Sequence, residues 1–162
     1  LLTPATVCLA IPLYKQLHLL KKYGAAVFAS IGSGVAASVV SIFLMCRLMG
    51  LSHVNYVTLL PKSITTAIGM GGSEEAGGIV TLTVMSIILT GVIGNVLGEL
   101  VFRITGVRHP IARGLALGTS AHAIGTAKAL ELGEIEGAMS SLSIAVAGLM
   151  TVIAVLIAAN LI

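Results

Sequence analysis

Long apolar runs separated by short polar stretches dominate the pattern of this sequence. Residues 23–46 contain no charged side chain, and residues 79–102 and 136–162 contain one glutamate each. About 20 consecutive apolar residues suffice for a helix to cross the hydrocarbon core of a bilayer. The pattern therefore predicts three membrane-spanning helices, over 23–46, 79–102 and 136–162.

Two further stretches, 51–78 and 110–134, are too apolar for aqueous loops and too rich in Gly, Ser and Thr for uninterrupted spans. We interpret each as a broken helix, made of two half-helices, with the break near Pro61 in the first and near Gly118 in the second. Broken helices at membrane depth are tolerated only where protein or a water-filled cavity surrounds them.

The two stretches resemble each other. The sequence Ala67-Ile68-Gly69 recurs as Ala123-Ile124-Gly125, and acidic and small residues followed by an apolar run come after both copies. Paired interrupted segments are the best sequence indication of a transporter site. We therefore predict a single transmembrane domain over 1–162, all-α, with two discontinuous helices from an inverted repeat.

The broken segments could either cross the membrane or re-enter it and return to the same side. If both cross the membrane, the lysines before residue 23 share a side with the acidic residues, and Arg47, Arg103 and Arg108 lie opposite. If both are re-entrant, the two main basic clusters share a side, as the positive-inside rule favours. About 23 residues precede each acidic turn, enough to cross. We favour crossing on this length and leave the orientation open.

Composition supports a membrane protein and argues against other classes. The chain is 57% hydrophobic and 9% charged, whereas soluble domains carry about 25% charged residues. The net charge of +3 comes from short clusters between apolar runs, and aromatic residues make up 4% with no Trp, so a nucleic-acid surface is not expected. Neither nucleophile motifs nor metal-ligand spacings occur, so we expect no enzyme, no metal and no cofactor.

A helix break at membrane depth creates a site for a small anion. The half-helix after the break presents unpaired N–H groups and the positive end of its dipole. We expect two such breaks to face each other near the midplane and to supply the substrate-binding side chains Lys62, Ser63, Thr65, Thr66, Thr119, Ser120 and His122.

Several of these polar residues admit a second interpretation. Lys62 could bind a carboxylate, or it could reach the headgroups or pair with Glu74 or Glu75. His122 could carry a proton, or it could be a neutral histidine hydrogen-bonded inside the bundle. Residues with possible coupling or structural roles are Asn95, Glu75, Lys128 and Glu131.

Small residues on the second span indicate close helix packing. Gly91, Gly94 and Gly98 lie on one side of the helix, and the last two have the GxxxG spacing. The segment Gly32-Ser33-Gly34 has the same interpretation.

Several motifs in order resemble the LrgB/CidB family of membrane proteins. They are Pro4-Ala5-Thr6-Val7, Pro12-Leu13-Tyr14-Lys15, Pro61-Lys62-Ser63-Ile64-Thr65-Thr66, Ser73-Glu74-Glu75-Ala76-Gly77-Gly78 and His122-Ala123-Ile124-Gly125-Thr126-Ala127. The resemblance covers essentially the whole chain. Family members usually have more helices before the Pro-Ala-Thr segment. We therefore expect this chain to lack those N-terminal helices and its apolar piece 1–14 to be the end of a truncated helix.

The resemblance implies a function that composition does not. It implies a fold similar to those of cation–proton antiporters and anion transporters. Some members are similar to carriers of pyruvate, glycolate or glycerate. Others are antiholin-like proteins that affect murein hydrolase activity and autolysis, with a small LrgA/CidA-type membrane partner.

We therefore expect a secondary transporter of small monocarboxylates, with or without coupling to protons, in the inner cell membrane rather than the plastid envelope. The alternative is an antiholin-like regulator without a substrate of its own. The expected partners are the lipid bilayer, a small carboxylate, a small LrgA/CidA-type protein and further copies of the chain.

Overall fold

The computed structural model describes Tyr14 and residues 17–161, and these described residues form helices and turns without any strand. The helices run in the order α1 (Leu17–Met49), α2 (His53–Leu59), α3 (Thr66–Glu75), α4 (Val80–Thr105), α5 (Pro110–Leu132) and α6 (Glu134–Ala158), followed by a 3-10 helix (Ala159–Leu161). Residues 1–13 and 162, where the predicted N-terminal apolar piece and the last residue of the third span fall, lie outside the described part.

Three of these helices are long and apolar enough to cross a membrane: Lys21–Met49, Val80–Thr105 and Glu134–Leu161. The prediction of an all-helical fold with three long apolar helices is confirmed, and the fold is consistent with a membrane protein. The sequence explains where these helices end. Gly50 and Gly106 follow α1 and α4 with φ of +63° and +70°, a conformation that glycine adopts without steric cost.

The chain reverses direction inside α5. Residue His122 has non-helical backbone angles, with φ of 43° and ψ of −136°. A Cβ added to Gly125 would lie 2.5 Å from the carbonyl oxygen of Leu117. Residues eight positions apart in a continuous helix are separated by about 12 Å. The two arms of α5 therefore run antiparallel, and we call residues 110–132 the second hairpin, with its tip at His122.

The segment from α2 to α3 reverses in the same way. A Cβ added to Gly69 would lie 3.5 Å from the carbonyl oxygen of Pro61. Further along the two helices, the Oγ1 of Thr83 lies within hydrogen-bond distance of both the carbonyl of Thr58, at 2.9 Å, and the Oγ of Ser73, at 2.7 Å. Residues 53–75 are therefore the first hairpin, with its tip in the turn at residues 60–65.

The two hairpins approach the middle of α4 from opposite ends. The first has its open end beside Thr83 and its tip region against Ile87, whose Cδ1 lies 2.5 Å from a Cβ added to Gly69. The second has its arms beside Gly98 and its tip against Gly91 and Ile87. The tips thus meet near one turn of α4.

The helix ends form two clusters, one at each end of the fold. Cys46 near the end of α1 clusters with Tyr56 of α2 and Ala158 of α6, and Tyr56 Oη donates to the carbonyl of Ala158 at 2.9 Å. This is the first side. Near the start of α1, Val27 clusters with Leu115 of α5 and Ala138 of α6, which marks the second side.

The contacts differ from our expectation that both broken segments cross the membrane. Each hairpin returns to the side from which it starts, because its two arms run antiparallel. Lys21 and Lys22 therefore share the second side with the basic residues at 103–113. Whether the hairpins derive from an inverted repeat stays a prediction.

Glycines hold the second hairpin close to its neighbours. A Cβ on Gly98 would lie 2.8 Å from Leu117 Cδ2, and Gly94 faces Ala121 at even closer range. Gly118 lies against α6, where an added Cβ would be 2.8 Å from the Cα of Ser140. The chain therefore reverses at His122 and not near Gly118, where we predicted the break. Gly118 lacks a side chain because α6 packs closely there, and not because the chain turns.

Candidate functional site

A cleft of about 1020 Å³ lies between α1 and α4, with the tip of the first hairpin and the first arm of the second hairpin also lining it. It is near the middle of both long helices, beside Ser38 of α1 and Thr90 of α4. Its hydroxyl groups come from all four pieces of the chain and belong to Ser30, Ser33, Ser38, Ser41, Ser63, Thr90, Thr119 and Ser120.

Lys62 supplies the positive charge of this cleft. Its Nζ donates to Ser63 Oγ at 3.1 Å, and Ser63 Oγ lies 3.1 Å from Ser38 Oγ. The ion pairs formed among the described residues lie elsewhere, between Glu99, Arg103, Lys128 and Glu131. The interpretation of Lys62 as the partner of Glu74 or Glu75 therefore has no support in the contacts.

The local sequence explains why Lys62 lies at the hairpin tip. Pro61 is buried and cannot donate a backbone hydrogen bond, and the turn closes through bonds from Lys62 N to Leu59 O and from Ile64 N to Pro61 O. Ile64 is buried. The buried neighbours on both sides fix the turn and leave Lys62 half-buried at the edge of the cleft.

Thr119 and Ser120 come to the same cleft from the second hairpin. Ser120 Oγ donates to the carbonyl of Ala116 at 2.7 Å. Thr119 is 9% exposed, and within the described part of the chain its Oγ1 has no hydrogen-bond partner. The structure therefore brings together four of the seven predicted binding residues: Lys62, Ser63, Thr119 and Ser120.

The other three predicted binding residues do not line the cleft. Thr65 is the N-cap residue of α3, and its side chain makes no capping hydrogen bond. Thr66 is the first residue of that helix, where backbone N–H groups lack intrahelical partners. His122 is 4% exposed and points to α4, where its Nε2 lies 2.9 Å from the carbonyl oxygen of Ile87.

The four residues predicted to couple or stabilise lie outside the cleft. Asn95 Nδ2 donates across helices to the carbonyl of Ile124 at 2.9 Å. Lys128 Nζ is 3.1 Å from Glu131 and 3.6 Å from Glu99, in a surface network at the second side. Glu75 lines a smaller cavity of about 260 Å³ next to His53 and Asn160.

The sequence interpretation missed the contribution of α1. Serines at positions 30, 33, 38 and 41 are spaced by three, five and three residues, which places them on one face of a helix. A stripe of serines on one face of an uncharged span indicates that this face of the helix meets a polar site. No group of three or more His, Cys, Asp and Glu side chains that could hold a metal occurs among the described residues.

Comparison with known proteins adds a family to this geometry. A sequence model of the LrgB-like family matches residues 1–161. Antiholin-like protein LrgB from Bacillus cereus is 43% identical over 154 residues, which cover 95% of this chain and 67% of the relative. The protein of the same name from Bacillus anthracis matches with the same identity and coverage. No solved structure matches the chain.

The family match extends over both hairpins and all three long helices, so it concerns the whole fold described here and not one motif. With this match and two relatives at 43% identity, the chain belongs to the LrgB-like family.

Proposed function

We propose that this protein is a secondary transporter of small monocarboxylates, of the pyruvate, glycolate and glycerate class, in the cell membrane. The observation that carries the proposal is the position of Lys62, whose Nζ lies at the edge of a hydroxyl-rich cleft near the middle of the long helices. An ionisable side chain at membrane depth is costly and is by default functional.

The hydrogen bonds around Lys62 suit an anion. Ser63 Oγ accepts from Lys62 Nζ and shares one hydrogen bond with Ser38 Oγ. Whichever serine donates in that shared bond, the other keeps a free hydroxyl proton, and the ammonium keeps further N–H groups. The cleft thus offers several donors and one positive charge, which a carboxylate satisfies through charge-assisted hydrogen bonds.

Thr119 supports a bound polar ligand on the opposite wall. Its buried Oγ1 lacks a partner in the described part of the chain, and an unsatisfied buried hydroxyl costs about 1–3 kcal/mol. A rotation of the side chain that turns Oγ1 towards the cleft would let a cargo oxygen, or a water carried with the cargo, satisfy it. The cleft is therefore polar on the faces of both hairpins.

The transport cycle and the assembly are part of this proposal. The cargo would be a single carboxylate, moved with or without a proton. The protein would act with a small LrgA/CidA-type membrane partner and as a homo-oligomer. Thr65 and Thr66, at the N-terminus of α3, would contribute through the helix dipole rather than through contact with the cleft.

A second candidate function is antiholin-like regulation of murein hydrolase activity and autolysis. The relatives from Bacillus cereus and Bacillus anthracis carry the name antiholin-like protein. A regulator without a cargo has no need of a lysine in a hydroxyl-lined cleft, and for that reason we place transport first.

Reconstitution of the full-length protein into liposomes, with and without the small partner, tests the proposal. Uptake of labelled pyruvate, glycolate and glycerate is measured with and without a pH gradient. We expect saturable uptake of at least one of them, reduced by 10-fold or more in Lys62→Ala and largely kept in Lys22→Ala, a lysine on the second side that packs over Tyr23. Absence of uptake under all conditions would remove the transporter and leave the regulator.

A further inference from the structure

We infer that His122 is a positioning residue that holds the tip of the second hairpin against α4, and that it does not touch the cargo. The side chain lies outside the cleft and is 4% exposed. The inference concerns the packing of the hairpin and holds whether or not the protein transports carboxylates.

The hydrogen bond to Ile87 fixes the direction in which His122 donates. Its Nε2 lies 2.9 Å from the carbonyl oxygen of Ile87, and a carbonyl oxygen can only accept. Nε2 therefore carries a proton, and the ring joins the second hairpin to the backbone of α4. The ring occupies space that Gly91 leaves, since a Cβ there would be 2.7 Å from Cε1 and 2.9 Å from Nε2.

The backbone at the tip is held by other side chains as well. The carbonyl of His122 accepts from Thr126 Oγ1 at 3.0 Å, and the carbonyl of Ile124 accepts from Asn95 Nδ2 at 2.9 Å. The first bond lies within the second arm, and the second bond ties the start of that arm to α4. His122 is also the one non-glycine residue with positive φ among the described residues, a conformation that the surrounding contacts must enforce.

Ile87 connects this tip to the first hairpin. Its carbonyl accepts from His122, and its Cδ1 packs against Gly69 of α3. Ile87 of α4 therefore contacts both hairpins. Loss of the His122 bond should disturb the walls of the cleft although His122 is not one of its lining residues.

Substitutions of His122 in the full-length protein test whether its hydrogen bond to Ile87, rather than its titration, holds the hairpin. Glutamine can place an amide nitrogen near the position of Nε2 and cannot titrate. Asparagine carries the same amide group but is too short to reach Ile87. We expect His122→Gln to keep the thermal unfolding midpoint in detergent within about 2 °C, and His122→Asn and His122→Ala to lower it by roughly 3–10 °C.

A double-mutant cycle with Gly91 tests the contact itself. Gly91→Ala pushes a methyl group into the imidazole and also towards Ile124 Cδ1, 2.7 Å from the added Cβ. The part of its destabilisation that comes from the imidazole should therefore vanish in a His122→Ala background. Gly98→Ala is the matched control, because it crowds the same hairpin at Leu117 and its effect should add to that of His122→Ala. A His122→Gln variant as unstable as His122→Ala, or full additivity of Gly91→Ala with His122→Ala, would overturn the inference.

Discussion

The hydroxyl oxygens of Ser38 and Ser63 lie 3.1 Å apart and join α1 to the tip of the first hairpin. The same Ser63 oxygen accepts from Lys62 Nζ. A serine on a long apolar helix thus fixes the position of the positive charge in the cleft. The geometry of the proposed site depends on α1 as much as on the hairpins.

We predict that Ser38→Ala weakens cargo binding without unfolding the protein. Removing one hydroxyl from the Lys62–Ser63–Ser38 chain takes away about 0.5–1.5 kcal/mol of hydrogen bonding, which corresponds to a rise of roughly 2- to 10-fold in the KM of carboxylate uptake. Uptake kinetics in proteoliposomes measure the change. The control is Ser86→Ala on α4, whose Oγ donates to Thr83 O and whose loss should leave KM unchanged. An unaltered KM in Ser38→Ala would show that α1 does not hold the site.

The membrane orientation follows from the two hairpins. Each hairpin returns to its own side. Apart from Lys62 in the cleft and Arg47 on the first side, the lysines and arginines of the described chain therefore lie on the second side: Lys21, Lys22, Arg103, Arg108, Arg113 and Lys128. Positive charge of this kind marks the cytoplasmic side. We predict that the second side is cytoplasmic.

Single cysteines introduced into a background without Cys8 and Cys46 test this orientation. A membrane-impermeant maleimide should label Met49→Cys in intact cells, and should label Thr105→Cys and Glu131→Cys only after permeabilisation. If Thr105→Cys and Glu131→Cys were labelled from different sides of the membrane, α5 would cross it, as we expected from the length of the segment.

The sequence predicted the three long helices because about 20 uncharged residues have few alternatives to a membrane span. It also predicted a helix break near Pro61, since proline cannot continue a hydrogen-bonded helix, but it did not predict that the chain turns back there. It did not predict the reversal at His122. That residue is neither Gly nor Pro, and its conformation is set by contacts with Ile87 and Gly91, which are distant in sequence.

The candidate site was predicted in part for a related reason. Lys62, Ser63, Thr119 and Ser120 could be identified as polar residues near expected breaks. The serine face of α1 could have been identified, but the bond from Ser38 to Ser63 could not, because a serine in an apolar span usually bonds its own helix. Only the folded chain shows that the Ser38 hydroxyl bonds across to Ser63.

Close packing of the second hairpin on α6 predicts a strong effect of Gly118→Ala. The new methyl group would lie 2.8 Å from the Cα of Ser140, and backbone cannot move aside as a side chain can. We expect a loss of about 1–3 kcal/mol in the free energy of unfolding. Gly71→Ala on α3 is the control, because no atom lies within 4 Å of the added Cβ, and alanine there should stabilise by about 0.5–1 kcal/mol. Equal effects of the two substitutions would contradict the packing.

Thr83 links the open end of the first hairpin to α4, and its hydroxyl is the part that matters. Its Oγ1 donates to the carbonyl of Thr58 at 2.9 Å, lies 2.7 Å from Ser73 Oγ, and is completely buried. Thr83→Val keeps the shape of the side chain and leaves those partners unsatisfied, so we expect it to lower the free energy of unfolding by about 1–3 kcal/mol. Thr105→Val is the matched control, since its Oγ1 bonds only the exposed last turn of α4 and its removal should change stability by less than about 0.5 kcal/mol. Chemical unfolding in mixed micelles gives both values. If Thr83→Val were as mild as Thr105→Val, the first hairpin would be held by apolar packing rather than by this hydroxyl.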